Sequence, residues 1–240
     1  MFRLYFPGVI ADHGTCRVEG GAAHHAIHVM RLSAGEAVTL FDGRGTEYAA
    51  EVTRIDRAAL ELRVQARQAA SRESPLAVTV AQGISGGERM DYTVQKCVEL
   101  GAAAIQPLTM QRSVVRLSAE RAEKRVAHWQ AVAAGACEQC GRNTLPAVLP
   151  VLPLTTWLAG AADGARYVLE PGAGARLRDE PRPAGAITVL AGPEGGFADE
   201  ELVAIHATGF TPLALGPRIL RTETAAAAAL AAMQALWGDA

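Results

Sequence analysis

Lysine is missing from the first 72 residues, whose basic side chains are all arginine: Arg3, Arg17, Arg31, Arg44, Arg54, Arg57, Arg63, Arg67 and Arg72. A polybasic lysine tract is therefore excluded there. A net charge of −2 gives no global attraction to polyanions, so any nucleic-acid surface must be local. Arginine pairs bidentately with phosphate, and these residues could form such a surface; acids are nearly as numerous, so a plain solvated surface fits too. Cysteine is scarce. Cys16, Cys97, Cys137 and Cys140 include one close pair, Cys137 and Cys140. It lacks the second pair of a metal site, and its helical setting does not suit a redox motif. No metal is expected. No apolar run has membrane length; the alanine-rich stretch 225–232 is too short. Arg3, Pro7 and Asp12 interrupt any signal-peptide pattern at the start. The expectation is a soluble cytoplasmic protein with no membrane partner.

Familiar catalytic motifs are also absent. The glycine loops lack the Gly-Lys-Ser/Thr of a P-loop, and no Gly-x-Gly-x-x-Gly follows the first strand. There is no His-Glu-x-x-His and no Gly-x-Ser-x-Gly. His24, His25 and His28 cluster without carboxylates, which favours surface histidines over a metal site.

Half of the residues are hydrophobic, ample for a core. Residues 1–70 read as β-rich. Val38-Thr39-Leu40-Phe41 leads into the turn Asp42-Gly43-Arg44-Gly45, and residues 47–55 and 60–64 alternate. Short strands joined by tight turns predict a small barrel. Residues 68–75 form a linker. From 75 to 240 strands alternate with helices: strands at 76–81, 103–108, 166–170, 186–191 and 212–215, helices at 89–100, 118–138, 155–159 and from Thr222 or Thr224 onward. That order predicts an α/β domain with a mostly parallel sheet, whose ligands bind beyond the carboxyl ends of the strands.

Three strands end abruptly in loops of this kind. One is Leu169-Glu170-Pro171-Gly172. The second is Gly192-Pro193-Glu194-Gly195-Gly196-Phe197, followed by the acid-rich helix start Asp199, Glu200 and Glu201. The third is Leu215-Gly216-Pro217-Arg218-Ile219-Leu220-Arg221-Thr222-Glu223-Thr224. Glycine lets backbone approach a ligand closely. Leu215, Ile219 and Leu220 could sandwich a flat ring while backbone groups read its edge. An adenine-containing ligand suits this, but the spacing does not say which one.

The second and third loops together resemble the signature of the RsmE family, SPOUT-superfamily methyltransferases that methylate a uridine of small-subunit ribosomal RNA at ring nitrogen N3. Matching stretches span nearly the full length: His28-Val29-Met30-Arg31, Phe41-Asp42-Gly43-Arg44-Gly45, Lys96-x-x-Glu99-Leu100-Gly101, Gln111-Arg112-Ser113-Val114 and Glu138-Gln139-Cys140-Gly141-Arg142. Three positions depart from the pattern. Gly86 stands where lysine is frequent, Cys140 where serine is usual, and Ala198 replaces a Ser/Thr helix cap, so that Asp199 is expected to cap instead.

The resemblance implies a PUA-like β-barrel at 1–70, then a trefoil-knotted methyltransferase domain at 75–240. Knots are rare exceptions to the rules of chain connection. It implies an S-adenosyl-L-methionine site at Leu169, Glu170, Pro171, Gly192, Pro193, Glu194, Gly195, Gly196, Leu215, Gly216, Ile219, Leu220 and Thr224. Arg218 and Arg221 are candidate catalytic donors, since uracil N3 needs its negative charge stabilised as its proton leaves. Glu223 or Glu194 is a candidate base, although each could instead brace a loop. Arg31, Arg44, Lys96, Arg112, Arg116 and Arg142 are candidate RNA contacts. Partners would be ribosomal RNA or the small subunit, and a second copy of the chain. The homodimer is expected because Leu230, Met233 and Trp237 form a stripe on the last helix beside small alanines; a single domain could use that face internally. Two other functions remain open: a non-catalytic RNA-binding or ribosome-assembly protein, and an enzyme using a different adenine ligand.

Overall fold

Residues 2–160 and 163–240 are described in the computed structural model. They divide into two units. Met1–Glu73 with Ala134–Leu145 form the first, and Ser74–Ala133 with Pro146–Ala240 the second. The domain expected at 75–240 includes Ala134–Leu145, which in space cluster with the first unit. The reasons for that clustering lie in side chains far from them in sequence.

In the first unit, alternating residues build the central strands β3 (Ala37–Phe41), β4 (Glu47–Ile55) and β5 (Ala59–Gln68), which pair antiparallel. Val38, Leu40, Val52, Leu60 and Leu62 fall on the buried side. The turn between β3 and β4 is held by Asp42, whose carboxylate accepts the amides of Arg44 at 2.8 Å and Thr46 at 3.2 Å. Two strands escaped the sequence reading. β1 (Phe2–Tyr5) pairs parallel to β3, and β2 (Gly14–Glu19) pairs antiparallel to β5, giving the order β1-β3-β4-β5-β2. After β2, a short helix α1 (Gly20–His24) runs into a π-helical turn, His25–Val29. Ala23 and Ala26 from these turns join the core of the sheet.

Charge attaches Ala134–Leu145 to this unit. Glu73 accepts Arg142 Nε at 2.9 Å and Nη2 at 2.7 Å, and its other oxygen accepts the Thr144 amide at 3.1 Å. Glu138 accepts the Tyr5 amide at 2.9 Å. The buried Glu47 binds Arg3 at 2.8 Å and Arg72 at 3.1 Å. Buried charges of this kind are tolerated only when paired, and removing one partner costs about 3–5 kcal/mol.

The second unit is a parallel sheet in the order β12-β10-β11-β6-β7-β8: β6 Val78–Gly83, β7 Ala104–Thr109, β8 Ala147–Val148, β10 Ala165–Leu169, β11 Ile187–Ala191 and β12 Thr211–Leu213. The two-residue β9 (Leu152–Pro153) also pairs with β7. β6 and β11 are buried on both faces, which their nearly unbroken apolar runs require. The helices are α2 (Glu88–Glu99), α3 (Ala119–Cys140), whose last turns belong to the first unit, α4 (Leu154–Ala159), α5 (Asp199–Ala207) and α6 (Thr222–Trp237). Among the described residues, no helix is long and apolar enough to cross a membrane.

Two expectations about helices are corrected. Leu230, Met233 and Trp237 are buried within this chain, where α6 packs on α2, β6 and β11, and Trp237 lies 6.3 Å from the Tyr167 ring. The stripe is core and cannot also be an interface. Asp199 does not cap α5: it is exposed, and the reach-back comes from Glu201, which accepts the Ala198 amide at 2.9 Å and the Gln111 amide at 2.8 Å.

Candidate active site

Three adjacent strands, β12, β10 and β11, end on the same side of the parallel sheet. The loops that follow them enclose a cleft of about 690 Å³, within the size range of small-molecule sites, ~300–1,000 Å³. The Glu170 amide donates to the Leu213 carbonyl at 3.0 Å, joining the first loop to the third strand.

The middle loop is fixed from beneath. Gln82, buried at the end of β6, donates through Nε2 to the Gly192 carbonyl at 3.2 Å and to Thr222 Oγ1 at 2.9 Å. Thr222, at the start of α6, donates in turn to the same carbonyl at 2.6 Å. One polar cluster therefore ties β6, the middle loop and α6 together under the cleft. Gly83 is needed beside it: a Cβ there would stand 2.5 Å from the Pro193 nitrogen.

Glu194 holds the loop from above. It accepts the Gly86 amide at 2.7 Å and Arg89 Nη1 at 3.0 Å. Desolvation pushes its carboxyl up, but these donors outweigh it and leave the pKa below the usual carboxylate range. Glu194 therefore acts as a brace, one of the two roles open to it from sequence.

Most of the residues expected to bind the donor do line the cleft: Leu169, Glu170, Pro171, Gly192, Pro193, Glu194, Gly196, Leu215, Gly216, Ile219 and Leu220, with Arg218, Arg221 and Glu223. Two do not. Gly195 turns toward the backbone of Arg112, where a Cβ would meet the Arg112 carbonyl at 2.9 Å, and Thr224 is exposed on the first turn of α6. Phe197, Leu202, Asp199 and Arg89 line the cleft without having been singled out for it. Arg89 reads in sequence as one more polar position on a helix, and only the fold brings it to Glu194. Gln82 is a single amide in an apolar strand and carries no pattern at all.

The candidate RNA contacts separate. Arg112 lines the cleft and stands 3.8 Å from Asp199. Arg116 is exposed and donates to the Gln111 carbonyl at 3.4 Å. Arg31 and Arg44 are exposed on the first unit, Arg31 with φ of +56°, an uncommon conformation for a non-glycine residue. Lys96 is held by both oxygens of Glu99, at 2.8 and 2.9 Å. Arg142 is withdrawn from the set: it is 5% exposed, and its guanidinium is committed to Glu73.

Among the described residues, no three His, Cys, Asp or Glu side chains are grouped to hold a metal. Burial pushes the Cys97 and Cys137 thiols up to about 12, far from a reactive thiolate.

The cleft thus offers apolar walls, exposed backbone from glycine loops, and four arginines with four carboxylates around them. A flat ligand with a polar edge fits, next to an anionic or electron-rich second substrate. Comparison with known proteins gives the class. Residues 72–234 match the RNA methyltransferase domain family and residues 18–65 the RNA methyltransferase PUA domain. The fold agrees: a parallel SPOUT-type sheet follows a PUA-like unit. The chain belongs to the ribosomal RNA small subunit methyltransferase E family. It is 30% identical to that protein of Buchnera aphidicola, over 99% of this chain and 97% of the relative, and 33% identical to that of Mycobacterium bovis, over 97% and 91%. A crystal structure of the Neisseria gonorrhoeae protein bound to S-adenosyl methionine superposes with a TM-score of 0.92 at 40% identity, covering 100% of this chain and 99% of that one. A Legionella pneumophila methyltransferase in complex with SAM gives 0.95 at 39%, with the same coverage.

Proposed function

We propose that this protein methylates N3 of a uridine in small-subunit ribosomal RNA, using S-adenosylmethionine held in the cleft at the ends of β10, β11 and β12. The observation that carries the reading is the convergence of three loops on one backbone-lined cleft with arginines at its mouth. The residues fit the donor: Leu169, Leu215 and Leu220 supply apolar walls for the adenine, and loop amides and carbonyls supply its polar edge. When bound, the donor supplies an electrophilic methyl group on a sulfonium.

The chain's own residues have three tasks. The loops position the donor and exclude water. Arg218 and Arg221, which line the cleft and have no ion-pair partner among the described residues, are placed to donate to the uracil carbonyl oxygens, where charge spreads as N3 loses its proton. Arg89 and Arg112 at the rim are suited to flanking phosphates, with Arg116, Arg31 and Arg44 as further candidates. RNA binding should therefore weaken steeply as salt rises.

The reading includes a homodimer and a trefoil knot, both implied by the family resemblance. With the apolar stripe of α6 turned inward, that helix leaves Ala231, Ala235 and Leu236 exposed, the last 47% exposed. Light scattering at micromolar concentration should give twice the chain mass; a monomer that still methylates RNA ends the dimer idea. The activity itself is tested by mass spectrometry of ribosomal RNA nucleosides from a deletion strain, with and without the gene restored. The 3-methyluridine peak should vanish and return. Calorimetry should show heat with S-adenosylmethionine and none with ATP; the reverse would sink the assignment.

A further inference from the structure

Four carboxylates line the cleft: Glu170, Glu194, Asp199 and Glu223. Three are committed or withdrawn. Glu170 faces His206 Nε2 at 2.9 Å. Glu194 is occupied by the Gly86 amide and Arg89. Asp199 is almost wholly solvated, 93% exposed, with Arg112 at 3.8 Å. Glu223 differs from all of them. Its Oε2 is sealed from solvent and has no hydrogen-bond partner among the described residues. A carboxylate oxygen withheld from both water and donors is expensive, and such an atom in a native protein needs an explanation.

The position of Glu223 offers one. It follows Thr222, which is locked to Gln82 and Gly192, so its backbone is fixed relative to the middle loop. It also lies two residues beyond Arg221 and five beyond Arg218, and all three line the cleft. With Oε2 sealed, Oε1 is the oxygen left to accept a proton from a ligand in the cleft. A uracil held by donors at its carbonyl oxygens presents, between them, the N3–H that must be removed.

We propose that Glu223 is the group that accepts the uracil N3 proton, the inference resting on the uridine-methylating reading given above. The N3–H bond breaks and its proton passes to the Glu223 carboxylate. The N3 electron pair forms the new bond to the methyl carbon as the carbon–sulfur bond breaks. The sulfonium becomes a neutral thioether, and Glu223 then releases its proton to solvent. Arg218 and Arg221 stay protonated throughout.

The test uses Glu223→Gln, with the full-length protein and small-subunit RNA carrying either uridine or the more acidic 5-fluorouridine. Turnover on uridine RNA should fall by about 100-fold or more, the usual span for a lost general base. Donor affinity by calorimetry should change by less than about threefold, since uniform binding is not at stake. The wild-type rate should be flat between about pH 6 and pH 8, because the enzyme and not bulk hydroxide supplies the base. The variant should instead gain about tenfold per pH unit, following the fraction of uracil already ionised. Its deficit should shrink on 5-fluorouridine RNA by about tenfold or more, since less base is then needed. Glu223→Asp should keep the flat profile at a reduced rate. Equal loss on both RNAs with an unchanged pH profile, a loss of donor binding that accounts for the defect, or an undiminished rate overturns the proposal. If the wild-type protein makes no 3-methyluridine, it is the functional reading that fails.

Discussion

The two glycine loops that close the cleft are built differently. The loop after β11 is held on every side. Gln82 and Thr222 bind the Gly192 carbonyl, Gly83 packs against Pro193, and Glu194 grips Gly86 and Arg89. The Gly196 amide closes a turn on Pro193 at 2.9 Å, and Phe197 is buried. The loop after β12 has far less. Its first amide, that of Ala214, donates to the Ala175 carbonyl at 3.2 Å. Gly216, Pro217, Arg218 and Arg221 are exposed, and Ile219 is 83% exposed. One loop is shaped by the protein; the other presents an apolar side chain and two cations with no ion-pair partner among the described residues. A ligand can supply what that second loop lacks. Recognition thus divides into a preformed half, which sets position, and a half that gains its contacts on binding.

The largest effect should come from the second loop. Arg221→Ala should lower turnover by about 10²–10³-fold, as removal of a charge-stabilising donor does elsewhere, with donor affinity changed by less than about threefold. Single-turnover rates and calorimetry on the same preparation check this. Equal losses in both would make Arg221 a wall of the pocket.

The first loop should respond in stability. Gly83→Ala drives a methyl group to 2.5 Å from Pro193 N, 2.6 Å from Pro193 Cδ and 2.9 Å from Met110 Sδ. Overpacking of that sort costs about 1–3 kcal/mol. Denaturant midpoints should fall, and donor binding should weaken because the displaced backbone is itself the binding surface. A variant as stable as the parent would mean that the loop yields easily, and the contrast between the loops would lose its basis.

Glu194→Gln should be milder, about 0.5–1 kcal/mol, since the pair with Arg89 is partly solvated. The sign with pH follows from the depressed carboxyl. Its contribution is present above the ordinary carboxylate pKa and is lost as pH falls through the lowered value. The difference in stability between parent and variant should therefore be largest near neutral pH and shrink as pH falls below the ordinary carboxylate range. A difference that persists in acid would assign the effect to shape and not charge.

What could be read in the sequence was what is local. Strands β6, β7, β10, β11 and β12, their glycine loops and most of the cleft follow from apolar runs punctuated by Gly and Pro within a few residues, whereas the two-residue β8 and β9 were missed. The attachments of Ala134–Leu145 could not be read so, because Glu73 and Arg142 are 69 positions apart and each looks like an ordinary surface charge. The same holds for Gln82 and Thr222, 140 apart. β2 was missed because Gly14–Glu19 is mostly exposed and shows little hydrophobic alternation. The α6 stripe was visible, but periodicity marks a buried face without naming what buries it, and here α2 and the sheet do.

Ile219→Ala should have the smallest effect on stability, and it sharpens the contrast most. At 83% exposure the side chain contributes almost nothing to the folded chain alone, so stability should stay within about 0.5 kcal/mol. If the loop gains its contacts from the ligand, the same side chain becomes buried only in the complex. Covering two or three methylene-sized groups is worth ~1–2 kcal/mol, so donor affinity should drop by about five- to thirty-fold. Calorimetry with S-adenosylmethionine, paired with a denaturant melt of the free protein, measures both. A variant that binds as the parent does would show that Ile219 stays in solvent even when the donor is bound. The walls of the site would then be Leu169, Leu215 and Leu220, all part of the lining already formed in the free chain.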